Sequence, residues 1–311
     1  MTLEAASPWN PLPSLPRGSA SFAHGVVGER ILVAGGTDWE KGAKHTRGTV
    51  FALDVGATRW RELAALPRPF SSGAFGAGAD GLYLFGGDDG ARTGALAMRI
   101  DRNGRQYPAG ELPLPLSFAG AVRVGSSVFI LGGTHDVRDL TQITAEFLSF
   151  DLQSGAVTRL PEFPAGPIIH PALAIVDRRI FVFPGGAYDS ATKKALTTRR
   201  TFYFDLDAQR WTELAPYPFA VRGIGAWPVD DHRVLLVGGY KARGSDLSDG
   251  AMTNECFLYD VGAQQYRVLP PLPTAAFLSA SAGCAMTSTP SAARIARNIA
   301  AAPRIARGLS I

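Results

Sequence analysis

The chain has 311 residues, of which 46% are hydrophobic and 19% charged, and its formal net charge is +4. This size and composition predict one globular domain and exclude the polar, highly charged class of chain that stays unfolded. The small net charge does not indicate a polyanion such as nucleic acid as a partner, and no run of about 18 apolar residues is present to span a membrane.

The N-terminal segment contains the first landmark, Trp9, within the sequence PWNPLP at residues 8–13. Trp9 lies 51 residues before Trp60, and a proline-containing breaker follows each of them. We interpret residues 8–13 as the outer strand of a unit whose other strands lie elsewhere in the chain. The first residues lack the charged region and apolar core of a secretory signal, so we expect a cytoplasmic protein.

Five apolar runs along the chain end in a pair of glycines. The second glycines are Gly36, Gly87, Gly133, Gly186 and Gly239, with spacings of 51, 46, 53 and 53 residues. Self-similarity at such a period is typical of stacked supersecondary units. A glycine pair permits positive φ angles and a close approach of neighbouring backbone. The sequence therefore predicts repeated units that meet tightly at each pair.

Three other features recur in phase with the glycine pairs. A segment rich in Ala and Gly precedes each pair, an apolar run ending in Asp follows it, and an aromatic residue or a substitute comes next. The Asp positions are Asp54, Asp101, Asp151, Asp205 and Asp260, and the aromatic positions are Trp60, Tyr107, Thr158, Trp211 and Tyr266. Short strands with regularly spaced turn residues indicate antiparallel sheets. We predict an all-β propeller with four strands per unit and the small-residue strand innermost.

The C-terminal part departs from the repeat. We predict that residues 278–286 form the inner strand of a sixth unit, which the strand around Trp9 helps to complete, so that a six-bladed ring closes without free sheet edges. Residues 287–311 contain no glycine pair, acidic side chain or aromatic residue. We therefore assign residues 1–286 to the propeller, with the sixth blade incomplete, and expect the basic tail at 287–311 to be poorly ordered or weakly helical. A frameshift is one hypothesis, because an out-of-register translation restores a glycine pair there.

The loops after the glycine pairs and the segments between consecutive units are expected to open on one face. Their mixture of acidic and basic side chains suits a small, oxygen-rich, anionic ligand, since Arg binds carboxylates and Asp or Glu accepts hydroxyl hydrogens. For any single residue an ordinary solvated loop is the simpler interpretation. Arg68 and Arg222 are stronger candidates, because each precedes an inner strand. No paired His spacing indicates zinc, so we predict no metal site.

The phased glycine pairs with Tyr and Trp landmarks resemble kelch repeats over roughly residues 8–286. Several stretches are also similar to the kelch-propeller family of sialic acid mutarotases, or N-acetylneuraminate epimerases, and their cyclically permuted relatives. These stretches are VAGGTDWEKGAKH at 33–45, LFGGDDGART at 84–93, residues 111–133 and APYPFAVRGIGAW at 215–227. The resemblance implies interconversion of sugar anomers, in which a base takes the anomeric proton while an acid protonates the ring oxygen. It implies no cofactor.

On this resemblance, the candidate catalytic residues are Asp88 and Glu40, as base or hydroxyl acceptor. Arg68 and Arg222 are expected to hold the substrate carboxylate. The remaining candidates for substrate binding are Asp89, Arg92, His45, Lys44, His170 and Tyr240. In that family the catalytic carboxylate looks like a Glu that follows a glycine or a glycine pair, with an Arg downstream on the same loop. This chain has that pattern only in the out-of-register translation.

The alternative is a noncatalytic kelch propeller that binds a protein or a glycan on the same face. It gains from the absence of a complete acid and base pair in the translated sequence. A copper oxidase of the kelch type is set aside, because Cys256 and Cys284 lie in apolar strands and not in loops rich in Tyr and His. We expect both cysteines to be buried free thiols. We further expect a small-molecule sugar as partner, without nucleic acid or membrane, and a monomer or weak homo-oligomer.

Overall fold

The structure, a computed structural model, describes residue 9 and residues 12–277. These residues form five four-stranded antiparallel sheets and three smaller ones. The five sheets are, in order, Ala23–Val27, Arg30–Ala34, Val50–Asp54 and Arg61–Glu62; Ala74–Gly78, Gly81–Phe85, Leu96–Ile100 and Gln106–Glu111; Gly120–Val124, Ser127–Leu131, Phe147–Asp151 and Val157–Leu160; Ala172–Val176, Arg179–Phe183, Thr201–Asp205 and Arg210–Leu214; and Gly225–Pro228, Arg233–Val237, Cys256–Asp260 and Gln265–Leu269. The smaller sheets are the hairpin of Thr37–Glu40 and Ala43–Thr46, the hairpin of Gly186–Asp189 and Lys194–Thr197, and the sheet of Val221–Arg222, Tyr240–Arg243 and Asp246–Met252.

Helical structure is confined, within these residues, to one 3₁₀ turn at Leu140–Gln142. No helix in this part of the chain is long and apolar enough to cross a bilayer. The prediction of an all-β fold with four strands in each unit is therefore confirmed for the five described sheets.

The first strand of each sheet, called the inner strand below, contacts the inner strand of the next sheet, from the first sheet to the fifth. This succession of contacts is the radial arrangement expected of a propeller. A Cβ placed on Gly25 would overlap the Cβ of Ala77 on the next inner strand. Small residues are therefore required where neighbouring inner strands approach most closely, as the sequence predicts, although the inner strands also carry large residues such as Phe75 and Trp227 at other positions.

The glycine pairs join one sheet to the next through main-chain atoms. In the first unit Gly35 and Gly36 have φ angles of +69° and +105°, and the Gly36 amide donates to the Phe70 carbonyl at 2.7 Å. A Cβ on Gly35 would overlap that same carbonyl. Equivalent bonds run from Gly87 to Leu116, from Gly133 to Ile168 and from Gly239 to Ala276. Four of the five pairs therefore make the close contact that the sequence predicts.

The fourth unit departs from the predicted alignment of glycine pairs. Phe183 pairs there with Ala172, as Ala34 pairs with Ala23 in the first unit, so Pro184 and Gly185 take the two positions of the pair. Neither Gly185 nor Gly186 has a positive φ. The prediction that Gly185 and Gly186 are an equivalent pair is wrong, because Pro184 fixes a negative φ at the first position.

Four of the five Asp landmarks cap the turn between the third and fourth strands, whereas Asp54 accepts from the Arg30 side chain. Asp151 accepts hydrogen bonds from the amide of Ser154 at 2.8 Å, from its hydroxyl at 2.7 Å and from the amide of Gln153 at 3.1 Å. The bonds from Ser154, with a smaller one from Gln153, hold the pKa of Asp151 below its ordinary value. Equivalent amide bonds reach Asp101, Asp205 and Asp260. These acids therefore fix turns, as Asp commonly does.

Tryptophans of the outer strands bond to prolines of the neighbouring unit. Trp60 donates its indole N–H to the Pro13 carbonyl and Trp211 donates to Pro161, both at 2.8 Å. Trp9 is 7% exposed, donates to Pro270 at 3.2 Å, and packs in one apolar cluster with residues of both the first and the fifth sheet. Pro161 and Pro270 directly follow the outer strands of the third and fifth sheets. Trp9 therefore bonds to the proline that follows the fifth sheet, just as Trp211 bonds to the proline that follows the third.

The C-terminal predictions concern residues outside the described part of the chain. They are the sixth inner strand at 278–286, the tail at 287–311 and Cys284. Cys256 is buried and unpaired, as predicted, and burial raises the pKa of its thiol to about 12.

Candidate functional site

The polar loops that follow the second strands lie on the same side of the sheets as the segments that lead into the inner strands. In each unit one residue of the loop forms an antiparallel bridge with one residue of the leading segment. The bridges are Thr37 with Ala20, Asp88 with Ser71, Thr134 with Ser117, Gly186 with Ile169, and Tyr240 with Arg222. The sequence-predicted candidates all belong to these loops and segments, which we call the loop face.

Neighbouring loops also touch one another across the loop face. Arg138 in the third loop donates to the Gly90 carbonyl in the second at 3.1 Å, and the Val137 amide donates to the Thr93 hydroxyl at 3.2 Å. The Thr197 hydroxyl in the fourth loop donates to the Leu247 carbonyl in the fifth at 3.1 Å. The loops are therefore held side by side over the sheets.

A chain of backbone hydrogen bonds runs across the loop face from sheet to sheet, at the residue two positions before each inner strand. Its links are Ser72 to Ser21, Phe118 to Ser72, His170 to Phe118 and Gly223 to His170, at 2.8, 2.7, 2.7 and 3.1 Å. Ser21, Ser72, Phe118 and His170 all have a left-handed backbone, with φ between 51° and 60°. This conformation costs roughly 1–2 kcal/mol for a residue with a Cβ, so the hydrogen bonds must hold it. The chain of bonds makes a fixed floor for the loops.

Arg222 lies beside this floor, on a short strand that pairs with Tyr240–Arg243. Its guanidinium carbon is 4.6 Å from the centre of the Tyr240 ring, and its Nη1 donates to the Ala195 carbonyl at 3.2 Å. Burial lowers the pKa of Arg222, and the Tyr240 hydroxyl opposes that effect. No carboxylate of the described residues lies within ion-pair distance of it. Arg222 is thus a partly buried cation without an anionic partner among the described residues.

His170 lies on the floor itself, between two phenylalanine rings. The centre of its ring is 4.5 Å from that of Phe118 and 5.3 Å from that of Phe277, and its Nδ1 is buried without a hydrogen-bond partner in the described part of the chain. Burial, with a smaller effect from the charge of Arg222, lowers the pKa of His170 to about 3. The imidazole is therefore neutral at physiological pH and close enough to Arg222 to sense its charge.

Asp88 is 8% exposed and both of its carboxylate oxygens are occupied. Oδ1 accepts from the Gly90 amide at 2.9 Å, and Oδ2 accepts from Nη1 of Arg138 at 2.9 Å. Arg138 belongs to the third loop, so this ion pair fastens the second loop to the third. As placed, Asp88 has a structural bond where a catalytic base would need an open oxygen.

Asp89, Arg92 and Arg68 form a looser group around the same loop. Asp89 accepts from the amides of Ala91 and Arg92, both at 2.9 Å, and lies 3.9 Å from the Arg92 guanidinium. Desolvation alone would raise the pKa of Asp89. The amide bonds and the charges of Arg92 and Arg68 outweigh it and hold that pKa below its ordinary value. Arg68 and Arg92 are exposed.

Glu40, Lys44 and His45 all lie on the first hairpin. Glu40 is exposed and accepts from Nη2 of Arg47 at 3.0 Å, while Arg47 also donates to Asp38 at 2.9 and 3.0 Å. The Lys44 ammonium is 5.8 Å from the centre of the Trp39 ring. His45 is half-buried and is paired in register with Asp38 on the facing strand.

The candidates thus fall into three groups: Arg222, His170 and Tyr240; Asp88, Asp89, Arg92 and Arg68; and Glu40, Lys44 and His45. No hydrogen bond or ion pair between described residues joins Asp88 or Glu40 to Arg222. Sequence reasoning missed the partners that occupy the acids, Arg138 on the neighbouring loop and Arg47 on the same hairpin as Glu40, because the pairing of charged loop residues follows no sequence period. Across residues 12–277, no three His, Cys, Asp or Glu side chains gather as metal ligands.

Comparisons with known proteins address the fold. No family model matches the chain. It is 25% identical over 221 residues to Kelch-like protein 34 of Homo sapiens, a match covering 70% of this chain and 33% of that protein. It is 25% identical over 139 residues to tRNA wybutosine-synthesizing protein 4 of Candida albicans, covering 44% of this chain and 18% of that protein. With the succession of four-stranded sheets, these matches support a kelch-type β-propeller.

The chain spans a third or less of the length of these two relatives. Their names denote different roles, and neither name refers to a mutarotase. Because a shared fold does not carry an activity with it, function has to be argued from the loop face.

Proposed function

We propose that this kelch-type propeller binds a small anionic ligand, rich in oxygen atoms, beside Arg222 on the loop face. The observation that supports the proposal is the partly buried guanidinium, which has no carboxylate partner among the described residues. Removing a cation from water without supplying an anion costs free energy, and a bound carboxylate would offset that cost.

Two other arginines of the loop face already have close carboxylate partners. Arg47 bonds to Asp38, and Arg138 bonds to Asp88, whereas Arg68 and Arg199 are exposed and remain solvated without a carboxylate partner among the described residues. An incoming carboxylate would have to compete with those acids, whereas at Arg222 it would replace only a carbonyl contact. Arg222 is therefore the position where an anionic ligand gains most.

Neutral polar groups beside Arg222 suit the rest of such a ligand. The Nδ1 atom of His170 is buried without a partner, and a ligand hydroxyl could satisfy it. The ring of Tyr240 covers one side of the guanidinium and carries a hydroxyl of its own. A sugar acid offers both a carboxylate and several hydroxyls, so we propose N-acetylneuraminate or a related sugar acid as the ligand class.

The test is a calorimetric titration of the protein with N-acetylneuraminate and with its methyl ester. We expect the acid to bind more tightly than the ester and Arg222→Met to weaken binding of the acid at least tenfold, which is about 1.4 kcal/mol. Binding of the ester should change little. Arg243→Met is the matched control, because Arg243 is exposed and pairs with Asp249 away from Arg222.

The proposal is lost if Arg222→Met and Arg243→Met bind the acid as tightly as the unaltered protein does. It is lost equally if the acid and its ester bind alike.

A second candidate function is interconversion of the anomers of such a sugar. The observation that favours it is a pair of adjacent carboxylates, Asp88 and Asp89, on one loop, with Arg92 on the same loop and Arg138 on the next. For Asp88 to act as the base, Arg138 would have to release Oδ2 so that the anomeric hydroxyl could reach it within hydrogen-bond distance. Glu40, which is exposed, would have to leave Arg47 in the same way.

Anomer equilibration of N-acetylneuraminate can be followed by NMR with and without protein. If the second function holds, the protein speeds equilibration, and Asp88→Asn or Glu40→Gln slows it, with ligand binding retained. Equilibration at the uncatalysed rate in the presence of a protein that binds the sugar would leave the noncatalytic propeller as the function.

The ring is proposed to contain six units. Trp9 bonds to the proline after the fifth sheet in the way that Trp211 bonds to the proline after the third. Trp60 in turn bonds to Pro13, which follows Trp9. A unit that contains Trp9 would thus lie between the fifth sheet and the first.

A further inference from the structure

Trp39 differs from the other four tryptophans of the chain. Trp9, Trp60 and Trp211 donate to proline carbonyls, and Trp227 is 1% exposed. Trp39 is 38% exposed, lies on the first hairpin, and belongs to none of the apolar clusters formed by the described residues. Its large apolar ring therefore stabilises no part of the core.

Trp39 lines an open cleft of about 310 Å³. One wall is the segment at residues 17–20, and the other is the hairpin strand Thr37–Glu40. Ligand pockets of proteins begin at roughly this volume, so the cleft is large enough for one small ring and too small for a chain of rings.

Three charged side chains surround the cleft, and two arginines hold one of them, Asp38, in place. Asp38 is 8% exposed and is held by Arg47 at 2.9 Å and by Nη1 of Arg17 at 3.2 Å. The Arg17 side chain is 55% exposed and has no other hydrogen bond among the described residues, which leaves most of its five N–H donors open. The exposed carboxylate of Glu40 is on the same wall as Trp39.

We propose that this cleft is a binding site for a single six-membered sugar ring that carries a carboxylate. The C–H face of the sugar packs on the Trp39 ring, whose face is electron-rich. The carboxylate bonds to the open N–H groups of Arg17, and Glu40 accepts from sugar hydroxyls. The site is separate from Arg222, and its occupation does not depend on binding there.

The experiment follows the indole N–H signals of the ¹⁵N-labelled protein during titration with methyl β-D-glucuronide and, in parallel, methyl β-D-glucoside. The Trp39 signal is assigned by its loss in Trp39→Phe. We expect the glucuronide to shift that signal. Trp39→Ala should weaken binding of the glucuronide at least tenfold, and Arg17→Gln should weaken binding of the glucuronide but not of the glucoside.

Two control variants remove similar groups elsewhere on the loop face. Leu247 is also 38% exposed, so Leu247→Ala removes a comparable apolar group, and Arg243→Gln removes a comparable cation. Neither should change binding. Thermal unfolding of Trp39→Ala should match that of the unaltered protein, which separates a binding defect from misfolding.

The proposal is overturned if neither sugar shifts the Trp39 signal at millimolar concentration, or if Trp39→Ala keeps the affinity for the glucuronide. Arg222→Met distinguishes it from the function proposed above. That variant should leave the Trp39 shift intact, and loss of the shift would mean that the cleft is not a separate site.

Discussion

Replacing Trp9 by Ala is expected to lower the free energy of unfolding by about 4 kcal/mol, which is in the middle of the range for a large aromatic residue cut back to Ala in a core. Trp9 is 7% exposed and packs against residues of both the first and the fifth sheet. The substitution also removes the indole bond to Pro270, and a bond of this kind contributes about 1 kcal/mol.

The assay is urea denaturation followed by far-ultraviolet circular dichroism, with the slope of the transition checked between variants. Trp39→Ala is the control, because Trp39 is exposed and outside the apolar clusters, and it should change stability by less than about 0.5 kcal/mol. Trp9→Phe keeps most of the apolar volume and should lose only about 1 kcal/mol. Trp60→Phe should lose a similar amount, since it removes the equivalent bond to Pro13.

Equal destabilisation by Trp9→Ala and Trp39→Ala would contradict the packing described for Trp9. Trp9 would then not join the fifth sheet to the first, and the proposed six-unit ring would lose its main support.

Three further predictions concern stability. Gly35→Ala should lower the free energy of unfolding by several kcal/mol more than Gly28→Ala does. Both glycines have positive φ, but a Cβ at Gly28 meets nothing within 4 Å. Parallel urea titrations measure the difference, and equal losses of stability would contradict the close approach at the glycine pair. Asp88→Asn should lower the free energy of unfolding by about 1.5–3 kcal/mol, because it weakens the bond to Arg138. Asp136 makes a longer contact of 3.5 Å with Arg138 and is more exposed, so Asp136→Asn should lower the stability measured by thermal unfolding less. The reverse order would argue against an interloop ion pair at Asp88. The pKa of His170 is about 3 in the folded protein, below its unfolded value near 6.5. Between these pH values the unfolded state binds more protons than the folded state does. The free energy of unfolding is therefore highest above about pH 6.5 and falls as the pH drops toward 3. His170→Phe should make the unfolding free energy less dependent on pH over this window, by up to about 1.4 kcal/mol per pH unit. An unchanged pH profile for His170→Phe would mean that His170 is not buried as described.

The repeat and its strands could be predicted because their causes are local in sequence. Small residues in the inner strands, glycines with positive φ, and Asp in the turn before the outer strand each perform the same task in successive units. The prediction failed at Gly185 and Gly186, because counting glycines does not reveal that Pro184 has moved into the first position of the pair. The strand register, which pairs Phe183 with Ala172, determines which residues take the two positions of the pair. This register is visible only in the structure.

The candidate site was less accessible to sequence reasoning. Residue types in the loops identified Arg222, His170 and Tyr240, which the structure brings near one another. They did not reveal that Asp88 is occupied by Arg138, 50 residues away, or that Glu40 is bound by Arg47 on its own hairpin. Charged loops present many possible pairings, and only the fold selects among them.

The links between successive sheets are made largely by peptide groups, both at the glycine pairs and along the floor beneath the loops. Peptide groups are common to all residues, so mutation along the floor can replace side chains and leave those joints between blades intact, whereas the joints at the glycine pairs require a residue without a Cβ. The floor position has accepted Ser twice, Phe, His and Gly within one molecule. Such a scaffold can diverge far in sequence, and a new specificity then requires only new side chains on the loops, with no redesign of the blades that carry them.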